Sequence, residues 1–377
     1  MIYLDHNATT PVLPEVLNAM LPYLKSDFGN PSSSHPLGQR ARAGVERARE
    51  QVAALLSCEP DEVFFTSGGT ESNNIAILGA AALADQSRHR VVTSTVEHPA
   101  TVQPCARLGA DGWRITRLPV GATGSVDATG FDATCDASVA LVTLMLAQNE
   151  TGALMPVRQV AESAHRCGAL SHTDAAQAIG KIAVGVDDLG VDLLSIAGHK
   201  VYAPKGVGAL YVRSGTPIRP VLVGAGQERG LRPGTENVAS VVGLGAACEL
   251  AAASQPTERP RLTELRETLW ERLSAAVPGL VRHGDRENCL PNTLNVSFPN
   301  VSGNAVLDAT PDVAASTGSA CHSGGEDPSP TLTAMGVDRD VALGAVRLSL
   351  GKSTTSADIT RAADALAAGF AAAASQP

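Results

Sequence analysis

Two residues in this sequence stand where their side chains could act as nucleophiles. Lys200 lies in SIAGHKVYAPKG, after an apolar β-type run and a glycine rather than on a charged helix face. Desolvation at a strand end lowers the pKa of an amine and makes it competent to form a Schiff base with a carbonyl. Most lysines are simply solvated, so the neighbours matter: His199 precedes this one, and Asp174 ends an earlier apolar run. Cys321 lies in STGSACHSGGEDPSP, among Ser, Gly and Asp residues and beside His322. A thiol on a polar loop next to a histidine is accessible and partly thiolate, which is the condition for nucleophilic attack. A role as metal ligand would need a second cysteine at ligand spacing, and the sequence has none there.

Other segments supply groups that a small-molecule site would need. In TSGGTESNN, Gly69 and Thr70 mark the change from a β-run to a helical pattern, where backbone N–H groups and hydroxyls form an anion cradle. This is neither a Walker loop nor a GxGxxG fingerprint, and a ligand-free capped turn explains it equally well. In SHTDAAQA, Asp174 could keep a pyridine nitrogen protonated so that the ring acts as an electron sink, with Gln177 three residues on. Read alone, Asp174 is a helix cap. His98 in TVEHPA suits stacking on a flat ring or a place in the core, and Asn149 in LAQNETG suits a hydrogen bond to a phenolic oxygen. Arg347 in AVRLSLGK suits a bidentate carboxylate clamp or a surface ion pair, and Thr235 in RPGTEN a plain turn.

The elements that must position these residues alternate. Short β-rich runs at 91–95, 139–146, 170–173, 193–197 and 207–212 are separated by helical patterns, which predicts an α/β fold with a mostly parallel sheet and ligands at the strand carboxyl ends. The polar, proline-bearing stretch AAASQPTERPR at 251–261 reads as a boundary before a smaller α+β unit. With 377 residues, two units are expected. A net charge of −9 offers no diffuse attraction for nucleic acid or an anionic membrane, and the uncharged stretches carry too many Gly, Ser, Asn and Gln residues for a membrane span. The N-terminus lacks a secretory pattern, so the sequence reads as cytoplasmic. Seven cysteines without a CxxC pair argue against a disulfide framework and a structural zinc cluster.

Taken in order, LDHNATTP, GNPSSSH, SGGTESNN, EHPA, NETG, HTDAAQ, GHK, RPGTEN, GSACHS and VRLSLG resemble the cysteine desulfurases and selenocysteine lyases of aminotransferase class V, over nearly the whole chain. The resemblance implies a PLP fold-type I homodimer whose large domain (15–255) holds a seven-stranded sheet, with a small domain made of 1–14 and 256–377. It implies pyridoxal 5'-phosphate held by Lys200, stacked on by His98 and paired at its ring nitrogen with Asp174. Gln177 and Asn149 would address the phenolic oxygen, Gly69, Thr70 and His199 the phosphate, and Thr235 the phosphate of the neighbouring subunit. Asn149 and Arg347 would bind the substrate carboxylate, and no metal is implied. Lys200, His98 and Cys321 would be catalytic, with Cys321 taking sulfur from L-cysteine, leaving alanine, and passing the sulfur to an acceptor protein. Ala197 stands where the family often has a hydroxyl that contacts the phosphate. The CHS sequence and RPGTEN look closer to selenocysteine lyases and nitrogenase-associated desulfurases, so selenocysteine lyase, or another class V aminotransferase or lyase, stays as the alternative.

Overall fold

Short runs of Val, Leu, Ile and Thr, too brief for buried helices, pair into sheets and leave the intervening amphipathic segments to cover them. The computed structural model describes residues 1–85, 87–317 and 327–375. In chain order the strands are β1 (Ile2–Tyr3), β2 (Val63–Thr66), β3 (Arg90–Ser94), β4 (Arg114–Leu118), β5 (Val139–Thr143), β6 (Leu170–Asp174), β7 (Leu193–Ala197), β8 (Gly208–Val212), β9 (Val281–His283), β10 (Thr293–Ser297), β11 (Val313–Ala314) and β12 (Ala345–Ser349). Seven of them form one sheet in the order β2-β8-β7-β6-β5-β3-β4. Only β8 runs against the rest. The parallel strands therefore end along one edge, and Thr66, Ser94, Thr143, Asp174 and Ala197 open the loops that carry the candidate residues.

Two apolar clusters flank this sheet, one containing Val52, Val142 and Ile196, the other Ile75, Leu141 and Leu193. A third joins Ile2 and Leu4 to Leu265, Val296, Leu348 and Leu366, so the first residues of the chain pack with the last hundred or so. Here β9, β10 and β12 form an antiparallel sheet, and β1 pairs with β11.

The stretch 251–261 is helix rather than a loop: one helix, Val238–Ala276, runs from the large core into the small one with Pro256 and Pro260 inside it. Both prolines are exposed, so the carbonyls they leave unbonded can take water instead. This helix is long and apolar enough to cross a membrane by length and composition. However, Leu244, Cys248, Leu265 and Leu269 are buried in the two cores it joins. The expected runs omit β4 and β9, which lie at sheet edges and carry arginines (RITRL and VRH) rather than an apolar pattern. Cys135 and Cys167 come into contact with Cα atoms 6.2 Å apart. A separation of 32 residues conceals a contact that the fold creates.

A buried ion pair fixes the edge of the sheet nearest the Gly68–Gly69 turn. Arg49 donates to both carboxylate oxygens of Glu228 at 2.9 and 2.8 Å and to the Val63 carbonyl, while the Glu228 carboxylate accepts from Phe65 N–H at 2.8 Å. Glu228 keeps this position at a φ of +44°, in the left-handed region. Glu228→Ala leaves Arg49 only the exposed Glu46 carboxylate as a charge partner among the described residues and leaves Phe65 N–H unpaired, and it is expected to cost about 3 kcal/mol, read as a lowered calorimetric midpoint. An unchanged midpoint would refute the assignment.

Candidate active site

The chemistry converges on the carboxyl edge of the large sheet, where residues from both ends of the chain meet. Lys200 follows β7, and its Nζ donates to the carbonyls of Asn7, at 2.5 Å, and Ala8, at 2.8 Å. Burial lowers its pKa to about 8, helped by the charge of Arg347 and opposed by Asp174 and Asp5. A sizeable fraction of neutral, nucleophilic amine is therefore present near neutral pH.

Asp174 ends β6 and is buried; Asn73 Nδ2 donates to its Oδ2 at 2.7 Å and Ala176 N–H to its Oδ1 at 2.9 Å. Turns rather than a helix follow it, so Asp174 does not cap a helix. A carboxylate has about four lone-pair positions, which leaves room for a further donor such as a protonated ring nitrogen. Beneath it, His172 is clamped between Thr143 Oγ1 at 2.8 Å and Ser195 Oγ at 3.0 Å, with burial lowering its pKa to about 4. His98 is the N-cap of the Pro99–Ala110 helix. Its Nδ1 accepts from Ala100 N–H at 3.1 Å, so in the neutral ring the proton sits on Nε2. Desolvation in the cleft lowers its pKa, Asp174 opposes this and Lys200 adds to it.

The anion cradle is open. Gly68 has a φ of +151° and a Cβ there would meet nothing within 4 Å, while Gly69 packs against Ala197. The Gly69–Ala81 helix starts here without a side-chain cap, and the N–H groups of its first turn have no intrahelical acceptor. Thr70 is exposed in that turn, and Ala197 brings only a methyl to the turn where a hydroxyl would add a contact. His199 Nδ1 pairs with Thr9 Oγ1 at 3.2 Å, and burial, with Lys200, Lys205 and His98, lowers its pKa to about 4, so the ring is neutral. Thr235 is exposed on the loop after Arg232, whose guanidinium pairs with Glu71 in the first turn of the same helix at 3.0 Å.

Gln177 Nε2 donates to the Asn7 carbonyl at 3.0 Å, the same oxygen that Lys200 uses. The Asn149 carbonyl accepts from Asn7 Nδ2 and from Arg347 Nη1, both at 3.2 Å. Arg347, on β12, is 5% exposed and pairs with Asp5 at 2.7 Å, so it is no surface ion pair. Its Nε is buried with no acceptor among the described residues, a donor that a carboxylate would satisfy.

Cys321 lies outside the described residues. The chain on each side of it is anchored at the site: Ser316 exchanges backbone hydrogen bonds with Arg347, at 2.6 and 3.3 Å. Beyond it, Ser329 Oγ and Thr331 Oγ1 each donate to the Glu150 carboxylate at 2.6 Å, one residue from Asn149. Sequence reasoning missed Asp5, Asn7, Asn73 and Lys181 as site residues. The first two lie in LDHNATTP, which the resemblance drew on only as a motif, and Lys181 stands four residues beyond Gln177.

Residues 2–362 match the family model described as aminotransferase class-V. The chain is similar to a cysteine desulfurase IscS of Dictyoglomus turgidum, 45% identical over 97% of this chain and 93% of that protein. Among solved structures it is similar to a NifS-like protein, with a TM-score of 0.91 and 36% identity over 97% of this chain and 98% of that one. It is also similar to a structure described as SspA in complex with cysteine, with a TM-score of 0.83 and 34% identity over 93% and 99% of the two chains.

In the cofactor-free protein, the rate at which an amine reagent modifies Lys200 is expected to rise through a midpoint near pH 8, because the neutral amine is the nucleophile. Peptide mapping across a pH series checks this. Arg347→Gln should move the midpoint upward, and a midpoint near the ordinary lysine value of about 10.4 in the unaltered protein would contradict the site's electrostatics.

Proposed function

This chain belongs to the aminotransferase class-V family, and from that premise we propose that it is a pyridoxal-phosphate-dependent cysteine desulfurase, converting L-cysteine to alanine and delivering the sulfur to an acceptor through Cys321. The reading rests on Lys200, a shielded amine with a pKa of about 8 set among Asp174, Arg347 and an open anion cradle. These residues fit the cofactor. Lys200 would hold its aldehyde carbon, the start of the Gly69–Ala81 helix with Thr70 and His199 its phosphate, Asp174 its ring nitrogen, and Gln177 and Asn149 its phenolic oxygen. Bound there, the cofactor supplies an electron sink that makes the substrate's Cα proton labile.

Every other part is played by the chain itself. Arg347, held by Asp5 and the Asn149 carbonyl, would bind the substrate carboxylate through its remaining N–H groups together with Asn149, which orients the Cα–H bond toward Lys200. Lys200 Nζ carries the Cα proton, and its pKa of about 8 suits both taking and returning it. His98 covers the ring face and assists proton transfer through Nε2, while Asn73 and Ala176 N–H hold the Asp174 carboxylate in place. The Cys321 thiolate then attacks the substrate sulfur. An S–S bond forms as the Cβ–S bond breaks, and the electron pair of that bond stays on Cβ, which takes a proton to become the methyl group of alanine.

The small unit, 1–14 with 256–377, brings Asp5, Asn7, Arg347 and Cys321, and the large unit, 15–255, brings the rest. A homodimer in which Thr235 reaches the neighbouring subunit's cradle completes the assembly, and a sulfur-acceptor protein receives the product.

The purified protein should carry a yellow chromophore that borohydride abolishes, and mass spectrometry after incubation with L-cysteine should find alanine and a persulfide on Cys321. Lys200→Ala is expected to lose the chromophore. Cys321→Ala is expected to keep it while sulfur release falls at least about 100-fold. Undiminished sulfur release from Cys321→Ala would sink the proposed route, and a near-absent rate on cysteine beside a fast one on selenocysteine would turn the assignment to selenocysteine lyase.

A further inference from the structure

We infer that Lys181 is a positioning residue that fixes the amide of Gln177 so that its NH2 group, rather than its oxygen, faces Lys200 and the cofactor held there. The inference builds on the cofactor assignment above and concerns a residue to which that assignment gives no part.

Lys181 follows the turn after β6 and directs its Nζ inward, donating to Asn7 Oδ1 at 3.0 Å and Gln177 Oε1 at 2.9 Å. Among the described residues it has no ion pair. Burial, and after it the charges of Lys200 and Arg347, lowers its pKa well below the ordinary lysine value. An inward-facing amine among cations is costly to keep. Its geometry shows what it does: whether charged or neutral, it has the two N–H bonds needed to donate to both oxygens.

The Gln177 amide is thus held at both ends. Oε1 accepts from Lys181, and Nε2 donates to the Asn7 carbonyl at 3.0 Å, the oxygen that also accepts from Lys200 Nζ at 2.5 Å. Turning the amide over would set an NH2 against the Lys181 amine and an oxygen against the Asn7 carbonyl, losing two hydrogen bonds and creating two repulsions. Without Lys181 only the second of these constraints remains, and that one is shared with Lys200. Lys181 therefore decides that Gln177 offers a donor to the cofactor's phenolic oxygen, which needs one when ionised.

A double-mutant cycle tests this on the holoenzyme and on protein stripped of cofactor and titrated with pyridoxal phosphate. Two quantities are read besides turnover: the dissociation constant of pyridoxal phosphate and the pH midpoint of its visible absorption change. Lys181→Met should weaken binding about tenfold, the equivalent of one hydrogen bond, and shift the midpoint in the same direction as Gln177→Leu. The double variant should be no worse than Gln177→Leu alone, because the Asn7 Oδ1 that Lys181 also contacts keeps its bond from Asn292 Nδ2, and Lys181→Arg should restore part of the loss. If the two losses add, or if Lys181→Met keeps the wild-type midpoint, the inference is overturned. Should Lys181→Met not fold, Lys181→Ala, which likewise lacks a donor, runs through the same cycle. A wild-type protein with no borohydride-sensitive chromophore would overturn the cofactor assignment itself, a result distinct from any difference among the variants.

Discussion

The Asn7 carbonyl accepts hydrogen bonds from Lys200 Nζ and from Gln177 Nε2, and most of the site is arranged around this one oxygen. The rest of Asn7 is equally committed: its N–H donates to Ser349 Oγ, its Oδ1 accepts from Lys181 and Asn292, and its Nδ2 donates to Thr293 and to the Asn149 carbonyl. A buried amide with any of these left unmade would cost about 1–3 kcal/mol per group, so the segment has little freedom to shift. Through it the first ten residues tie the large sheet to the small one. Thr10 continues the tie, accepting from Tyr202 N–H and donating to the His199 carbonyl on either side of Lys200.

The same arrangement gathers charged groups of both signs in the cleft. The chain carries a net charge of −9, yet Lys200, Lys181 and Arg347 gather at the site against Asp174 and Asp5. Burial lowers the pKa of both lysines, with the nearby cations adding to it, and His172 and His199 stay neutral because burial holds each at about 4. An uncharged ring beside the cradle leaves the backbone N–H groups to meet a phosphate, and Arg347 to meet a carboxylate. Desolvation thus makes Lys200 the better nucleophile, and Arg347 adds to that shift.

The segment that carries Cys321 is tied at two points of the same site. Ser316 pairs with the backbone of Arg347, and Ser329 and Thr331 bind Glu150, next to Asn149. The two residues proposed for the substrate carboxylate thus sit beside the two anchors of the segment that bears the thiol proposed to accept sulfur. A change that moves one anchor moves a substrate contact with it.

Much of this was legible along the chain because it depends on local patterns. The runs that became β3, β5, β6, β7 and β8 are apolar and β-branched, the change from β-run to helix at Gly69 is marked by glycines, and Lys200 announces itself by following a strand. Pairing partners far apart in sequence were not legible. Asn7 meets Lys181 and Asn292, Asn73 meets Asp174, and Cys135 meets Cys167 only once the sheet has formed. The proline-bearing stretch at 251–261 reads locally as a break but remains helix, because the packed faces on either side of it outweigh two missing backbone bonds that solvent can replace. Residue type and spacing thus determined the sheet's raw material and pointed to the lysine, cysteine and glycine turn proposed for the chemistry, since these rest on backbone preference and intrinsic chemistry. Tertiary structure alone decided which carbonyl holds the lysine, which way the Gln177 amide faces and how far the Lys200 pKa falls, since each of these depends on desolvation and on distances between groups that the chain itself keeps far apart.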